Sequence, residues 1–326
     1  MRGTLLAAAV SGYVTGLGSG PAPRKWPGQW VELPRDDDPG ELGKPVDPDA
    51  SGLLHWAPLH HSGLLRRNAL ITEWMCRSRP DLMVVDTSVE VSLLARLCGI
   101  PVIVAAMPGD RLDRAHRSAY DLATALLAPW PQAAADDTWP PAWAAKTRYA
   151  GGISRFEARP VPLATRSAGG KRVLVLWGKG GKDVTSHQVA LAQAATPEWT
   201  WVQRGGDAPP ALNLWRELCE SDVVITHAGQ NAVADVAAAR RPAVVIAQQR
   251  PHDEQRATAA AVQRLGIAPG LNHWPEARQW PGLLAQAQSY GGQGWKAWSG
   301  LGAAGAGRWL DQQADFFAAH RLRSVH

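Results

Sequence analysis

The chain has 326 residues, of which 45% are hydrophobic and 19% charged, with a net charge of +5. That balance excludes a disordered chain, and at about 100–200 residues per domain the length suggests two domains. The Arg residues are scattered rather than gathered into the basic stripe that lines a nucleic-acid groove, and no run approaches the ~18 apolar residues of a membrane span.

The elements follow in chain order. Residues 4–10 read as a short helix and 13–17 as a strand. A strand at 81–86, a helix at 89–97 and a strand at 101–106 form one unit, punctuated by Gly99 and Pro101. A helix is predicted over 120–127. The alternation resumes with strands at 172–177, 199–203, 222–226 and 242–246, interleaved with helices at 186–195, 212–219, 232–239 and 253–265. A last helix covers 303–320. Strands that are apolar throughout and alternate with helices make parallel sheets covered on both faces. The Gly-, Pro-, Arg- and Ser-rich stretch 151–170 reads as a linker.

The organisation predicted is therefore an α/β chain with two doubly wound, Rossmann-like domains facing a cleft. The first covers 1–150, the second 171–285, and a helical tail 286–326. A doubly wound domain normally opens on a central strand, a Gly-rich turn and a helix. This chain opens on the helix, so the first domain is expected to lack its first strand and to start late relative to its relatives.

Cys76, Cys98 and Cys219 are far apart and in apolar contexts, and are predicted to be small buried hydrophobes in a reducing, cytoplasmic compartment. The apolar run 5–10 is too short for a signal peptide. The 16 Trp mostly adjoin Pro or Gly and are expected to cover loop–core junctions.

The chemistry concentrates in the second half. Ile225-Thr-His-Ala-Gly-Gln-Asn-Ala-Val-Ala-Asp235 follows a strand and opens a helix. Free backbone N–H groups at a positive helix end suit a diphosphate. His227, Gln230 and Asn231 add polar side chains, Gly229 permits close approach, and Asp235 lies on the face of Asn231, placed to accept from ribose hydroxyls. Gln248-Gln-Arg-Pro-His-Asp-Glu-Gln255 is the next loop after a strand. It is either a polar cap, with Asp253 capping its own helix, or a sugar-hydroxyl site using Glu254 and Gln255. Trp177-Gly-Lys-Gly-Gly-Lys182 is either a flexible turn or a ligand loop through Gly178, Gly180 and Gly181.

At these residues the sequence resembles the GT-B glycosyltransferases, the group that includes the N-acetylglucosamine transferase of peptidoglycan precursors and the small-molecule UDP-sugar transferases. His227-Ala-Gly-Gln-Asn231 falls on the family's H-C-G-W-N, Asp235 on its ribose-binding Glu, and Glu254-Gln255 on the D-Q pair that holds the donor sugar. Gly151-Gly-Ile-Ser-Arg155 resembles the linker whose Arg approaches the diphosphate. The resemblance covers about 150–270; the N-terminal half matches in layout only. It implies an inverting, metal-independent transfer from a nucleotide sugar, UDP-linked, with no other cofactor. The acceptor is open, including a lipid-linked one at the inner face of a membrane. Neither a nucleic-acid partner nor a transmembrane segment is expected.

Asp110, after a strand of the first domain, is the candidate base or a plain turn residue. His55, His60 and His61 are either acceptor-site or exposed loop side chains. Asp36-Asp-Asp38 reads as a solvated turn, and no metal site is expected. A sugar-nucleotide epimerase of the same fold and a catalytically impaired nucleotide-sugar-binding protein remain as alternatives.

Overall fold

The computed structural model describes residues 1–37, 44–161, 170–178, 184–206 and 208–323. The N-terminal half contains α1 (Arg2–Ala9), β1 (Thr15–Gly18), β2 (Gln29–Glu32), α2 (Ser62–Ser78), β3 (Met83–Asp86), α3 (Val89–Leu97), β4 (Val102–Ala105), α4 (Arg114–Leu122), β5 (Ala125–Ala128), α5 (Pro141–Ala145) and β6 (Thr147–Tyr149). The C-terminal half contains β7 (Lys171–Trp177), α6 (Ser186–Ala194), β8 (Trp199–Gly205), α7 (Leu214–Cys219), β9 (Val223–His227), α8 (Gln230–Ala239), β10 (Ala243–Ile246), α9 (Glu254–Arg264), β11 (Gly270–Leu271), α10 (Trp280–Tyr290) and α11 (Gly302–Arg323).

Five parallel strands form the C-terminal sheet in the order β11-β10-β9-β7-β8. Its central strands are apolar on both faces because helices cover both. Val223, Val224, Ile225, Val244, Val245 and Ile246 are all buried. The N-terminal strands divide into a parallel pair, β1-β2, and a parallel four-stranded sheet, β3-β4-β5-β6. Among the described residues no strand joins β1 to β3. The C-terminal helix α11 crosses back and packs on α1. Leu6, Ala303, Ala306 and Leu310 share one core with Ile103, Leu127 and Ile153. The Glu157 carboxylate accepts from the Ala303 N–H at 2.9 Å and so fastens the N-terminus of α11 to the segment between the domains.

Four expectations are corrected. The helix predicted over 120–127 is two elements. Asp113 caps a helix that ends at Leu122, its Oδ1 accepting from the His116 N–H at 3.0 Å, and the apolar run that follows pairs as β5 between β4 and β6. Helix α2 and strand β6 were not predicted. Both carry weak signals, since α2 has only three buried residues and β6 has none. Cys76 and Cys98 are exposed and Cys219 is half-buried, so the cysteines are not core residues. Several of the Trp are core rather than junction covers: Trp130, Trp139 and Trp143 are buried and pack edge-on around Tyr120 and one another. Among the described residues no helix is long and apolar enough to cross a membrane.

Candidate active site

The turn between β9 and α8 is built by a glycine that a ring requires. His227 ends β9 and Gly229 is the N-cap of α8. The His227 Nδ1 accepts from the Gly229 N–H at 3.0 Å. Gly229 has an ordinary φ of −71°, so conformational freedom does not explain it. A Cβ there would run into the His227 ring. Across the sheet, a Cβ at Gly178 would lie 3.0 Å from His227 Nε2. Two glycines therefore bracket one imidazole at the carboxyl edge of β7 and β9. Gly180 and Gly181 lie outside the described residues. Asn231 is exposed on the first turn of α8. Gln230 accepts from Arg2 of α1, which also donates to Asp86, and the Gln230 Nε2 is buried without a hydrogen-bond partner among the described residues. Arg2 thus ties the first domain to α8, a role without a motif to announce it.

Asp235 sits differently from its reading. It is 1% exposed. One carboxylate oxygen accepts from Ser154 Oγ at 2.8 Å and the other from Arg155 Nε at 3.0 Å, with Arg155 Nη2 at 2.9 Å. Burial pushes its pKa up, against the pull of Arg155 and Ser154. Both oxygens face the interdomain segment rather than open solvent. The guanidinium of Arg155 remains half-exposed and lies 5.1 Å over the Phe156 ring.

The loop after β10 is held by its own amides. Gln248 N–H donates to Gln255 Oε1 at 3.1 Å, and both side chains are buried. Gln255 therefore positions the loop. Asp253 makes no side-chain cap hydrogen bond, which removes the plain-cap reading. His252 and Asp253 have φ of 60° and 51°, in the left-handed region that side chains rarely adopt. The His252 carbonyl accepts from the Asp110 N–H at 2.9 Å, and Gly109, at φ 89°, leaves no room for a Cβ against that carbonyl. The two domains are locked together at this turn.

Beside it opens a cavity of about 300 Å³, lined from the first domain by His55, Arg111, His116 and Tyr120 and from the second by His252 and Glu254. Arg111 and Glu254 face each other at 3.6 Å. Asp110 is exposed and its Oδ1 accepts from the Leu112 N–H at 2.9 Å, so it serves its own turn. On the first-domain side the carboxylate that faces the cavity's histidines is Asp113. His116 Nδ1 lies 2.5 Å and His252 Nδ1 3.7 Å from its Oδ2, and His55 Nε2 lies 3.4 Å from its Oδ1. Burial lowers the His116 pKa to about 4 even against its hydrogen bond to Asp113, so the ring is neutral near pH 7. Burial would raise Asp113, but hydrogen bonds from the backbone and ring of His116 outweigh it and bring the pKa to about 2. Arg111 Nη1, 3.2 Å from His116 Nε2, fixes the tautomer: Nε2 accepts and Nδ1–H donates to Asp113. His60 is exposed, and His61 caps α2 by accepting from the Leu64 N–H at 3.1 Å. Of the three loop histidines only His55 reaches the cavity. Sequence reasoning missed Arg111, Asp113 and His116; the one signal there is the Asp113-x-x-His116 spacing of a helix cap, a pattern common at ordinary helix starts.

Residues 213–273 match the family described as the glycosyltransferase family 28 C-terminal domain. No curated protein matches the chain by sequence. Among solved structures, the glycotransferase of kitacinnamycin superposes with a TM-score of 0.63 at 16% identity over 95% of this chain and 94% of its own. SsfS6 of Streptomyces sp. SF2575, a glycosyltransferase solved with thymidine diphosphate, gives 0.60 at 16% identity over 96% of each chain. MurG of Acinetobacter baumannii gives 0.60 at 13% identity over 98% of this chain and 95% of its own. With two parallel-sheet halves about one cleft, the chain has the GT-B glycosyltransferase fold, and its segment 213–273 matches the family 28 C-terminal domain.

Proposed function

We propose that the chain is a glycosyltransferase that moves a sugar from a nucleotide sugar, UDP-linked in the first instance, to an acceptor hydroxyl with inversion at the anomeric carbon. The observation that carries the reading is the shared cavity, in which Glu254 of the donor loop faces Arg111 and the Asp113–histidine cluster of the first domain. A sugar held at Glu254 would present its anomeric carbon between the two sides. The turn at His227–Gly229 and the half-exposed Arg155 supply donors for the departing diphosphate without calling on a cation. The acceptor oxygen forms its bond to the anomeric carbon as the diphosphate leaves, and its proton goes to the Asp113–histidine cluster rather than to Asp110. Asp235 acts through Arg155, as a positioning residue, and the ribose is left to other groups. SsfS6 was solved with thymidine diphosphate, which makes pyrimidine nucleoside diphosphates the first class to try.

The test is thermal shift of the purified chain against UDP, dTDP, UDP-glucose, UDP-N-acetylglucosamine, GDP-mannose and NAD. A ligand at 100 times its Kd stabilises the native state by about 2.7 kcal/mol. A pyrimidine-specific shift that His227→Ala abolishes is expected. No shift from any nucleotide in a folded sample refutes the reading. A nucleotide-sugar-binding protein without turnover is the second reading, favoured by the engagement of both Asp235 oxygens. Slow release of UDP from UDP-glucose, with water or an added alcohol as acceptor, separates the two.

A further inference from the structure

Three elements, one from the donor half, converge on a single carboxylate. We propose that His55, Asp113 and His252 form a site for a divalent transition metal of the zinc class, bridging the two domains at the mouth of the cavity. His116 is the outer partner that orients the carboxylate. The side-chain ligand atoms of His55, Asp113, His116 and His252 all lie within 4.8 Å of one another. A tetrahedral ion about 2.1 Å from each ligand needs ligand atoms about 3.4 Å apart. An ion on Asp113 Oδ1 has His55 Nε2 3.4 Å from that oxygen; His252 Nδ1, 3.7 Å from Oδ2 and within 4.8 Å of the other ligand atoms, closes the site by side-chain movement, and Oδ2 stays with His116. Two imidazoles and a carboxylate select first-row divalent ions over magnesium or calcium.

His116 is assigned the outer place because both of its nitrogens are engaged, Nδ1 with Asp113 and Nε2 with Arg111. A hydrogen bond to the second oxygen of a ligating carboxylate is a common outer-shell support. The inner three are accessible, with side chains 34% (His55), 36% (Asp113) and 31% (His252) exposed. Each is also held. The Glu90 carboxylate accepts from the His55 N–H at 2.8 Å, Asp113 caps α4, and the His252 carbonyl is bonded to the Asp110 N–H. The positive charge of Arg111 is offset by Glu254, leaving Asp113 as the uncompensated anion. The left-handed backbone of His252 costs about 1 kcal/mol or more, and a metal-bridged turn gives that strain a purpose. Three protein ligands leave coordination open for an acceptor hydroxyl. That use of the open position rests on the transferase reading; binding of the ion does not.

The experiment uses the untagged full chain, stripped with EDTA and titrated with Co²⁺ and Zn²⁺ by absorption spectroscopy and calorimetry. The expected result is one ion per chain and a visible d–d band for Co²⁺. His55→Ala and His252→Gly abolish it, and His116→Ala weakens binding by about 10–100-fold. His187→Ala, on α6, leaves it unchanged. His252→Gly is chosen because glycine accepts the φ of 60°, so that variant folds. No band and no heat with the folded wild-type chain overturns the proposal, as does unaltered binding in the His55→Ala, His252→Gly double variant. The UDP thermal shift on the same sample reports the donor reading separately.

Discussion

Replacing Asp235 by Asn or by Ala separates two roles that its sequence position leaves merged. Burial disfavours the ionised carboxylate, and its folded pKa is raised despite Arg155. A raised folded pKa means that its contribution to stability is fully present below the ordinary value, near 3.8, and is lost as pH rises through the folded value. At pH 7 the protein already carries that cost. Asp235→Asn removes the desolvated charge together with the ion pair, and it keeps an acceptor for Ser154 Oγ. The two effects oppose, so the net change in unfolding free energy is about 1 kcal/mol or less. Asp235→Ala leaves Ser154 Oγ and the Arg155 guanidinium facing a buried gap, which costs about 2–3 kcal/mol. Urea unfolding at pH 7 measures both. In nucleotide titrations, a positioning role predicts that Asp235→Asn weakens UDP by up to about tenfold, or 1.4 kcal/mol, because Arg155 loses its tether. A loss of a hundredfold or more with stability unchanged would refute the reasoning and put the carboxylate on the ribose.

Gly229→Ala drives a methyl into the His227 ring and is expected to cost about 1–3 kcal/mol in stability, with loss of the UDP thermal shift. An intact shift would mean that His227 is not needed at the phosphates. His252→Gly relieves a left-handed backbone and is expected to raise metal-free unfolding stability by about 0.5–1 kcal/mol in urea titrations; a fall would show that the side chain, not the strain, dominates there. Glu157→Gln weakens the cap of α11 by about 1 kcal/mol, and faster hydrogen exchange confined to residues near Ala303 checks it.

The C-terminal sheet was legible because its strands are apolar on both faces and sit between breakers. The strands predicted at 222–226 and 242–246 are β9 and β10 to within one residue. The first domain was less legible for a physical reason. Its elements are short and its burial is spread thinly: α2 presents Gly63, Ile71 and Met75 to the core, too sparse a stripe to mark 17 residues as one helix. At 120–127 the apolar residues of a helix end and of a strand run together, and the decisive signal was the capping Asp113 three residues before His116 rather than hydrophobicity.

The candidate site divides along the same line. Residues that lie in one strand–turn–helix segment, such as His227 and Gly229 after β9 or Glu254 after β10, could be grouped as candidates because their neighbours in sequence are their neighbours in space. Asp113 and His116 lie 58 and 61 residues beyond His55, with His252 far beyond them, and only the folding of α4 against the loop before α2 and the loop after β10 makes them one group. Asp110 was the natural guess for a base because it follows a strand. The Gly109 turn that admits the His252 carbonyl also directs the Asp110 carboxylate to its own backbone. The same close approach that draws His252 to Asp113 therefore takes Asp110 away from the cavity, and a substitution at Gly109 should disturb the histidine cluster while leaving Asp110 solvent-exposed.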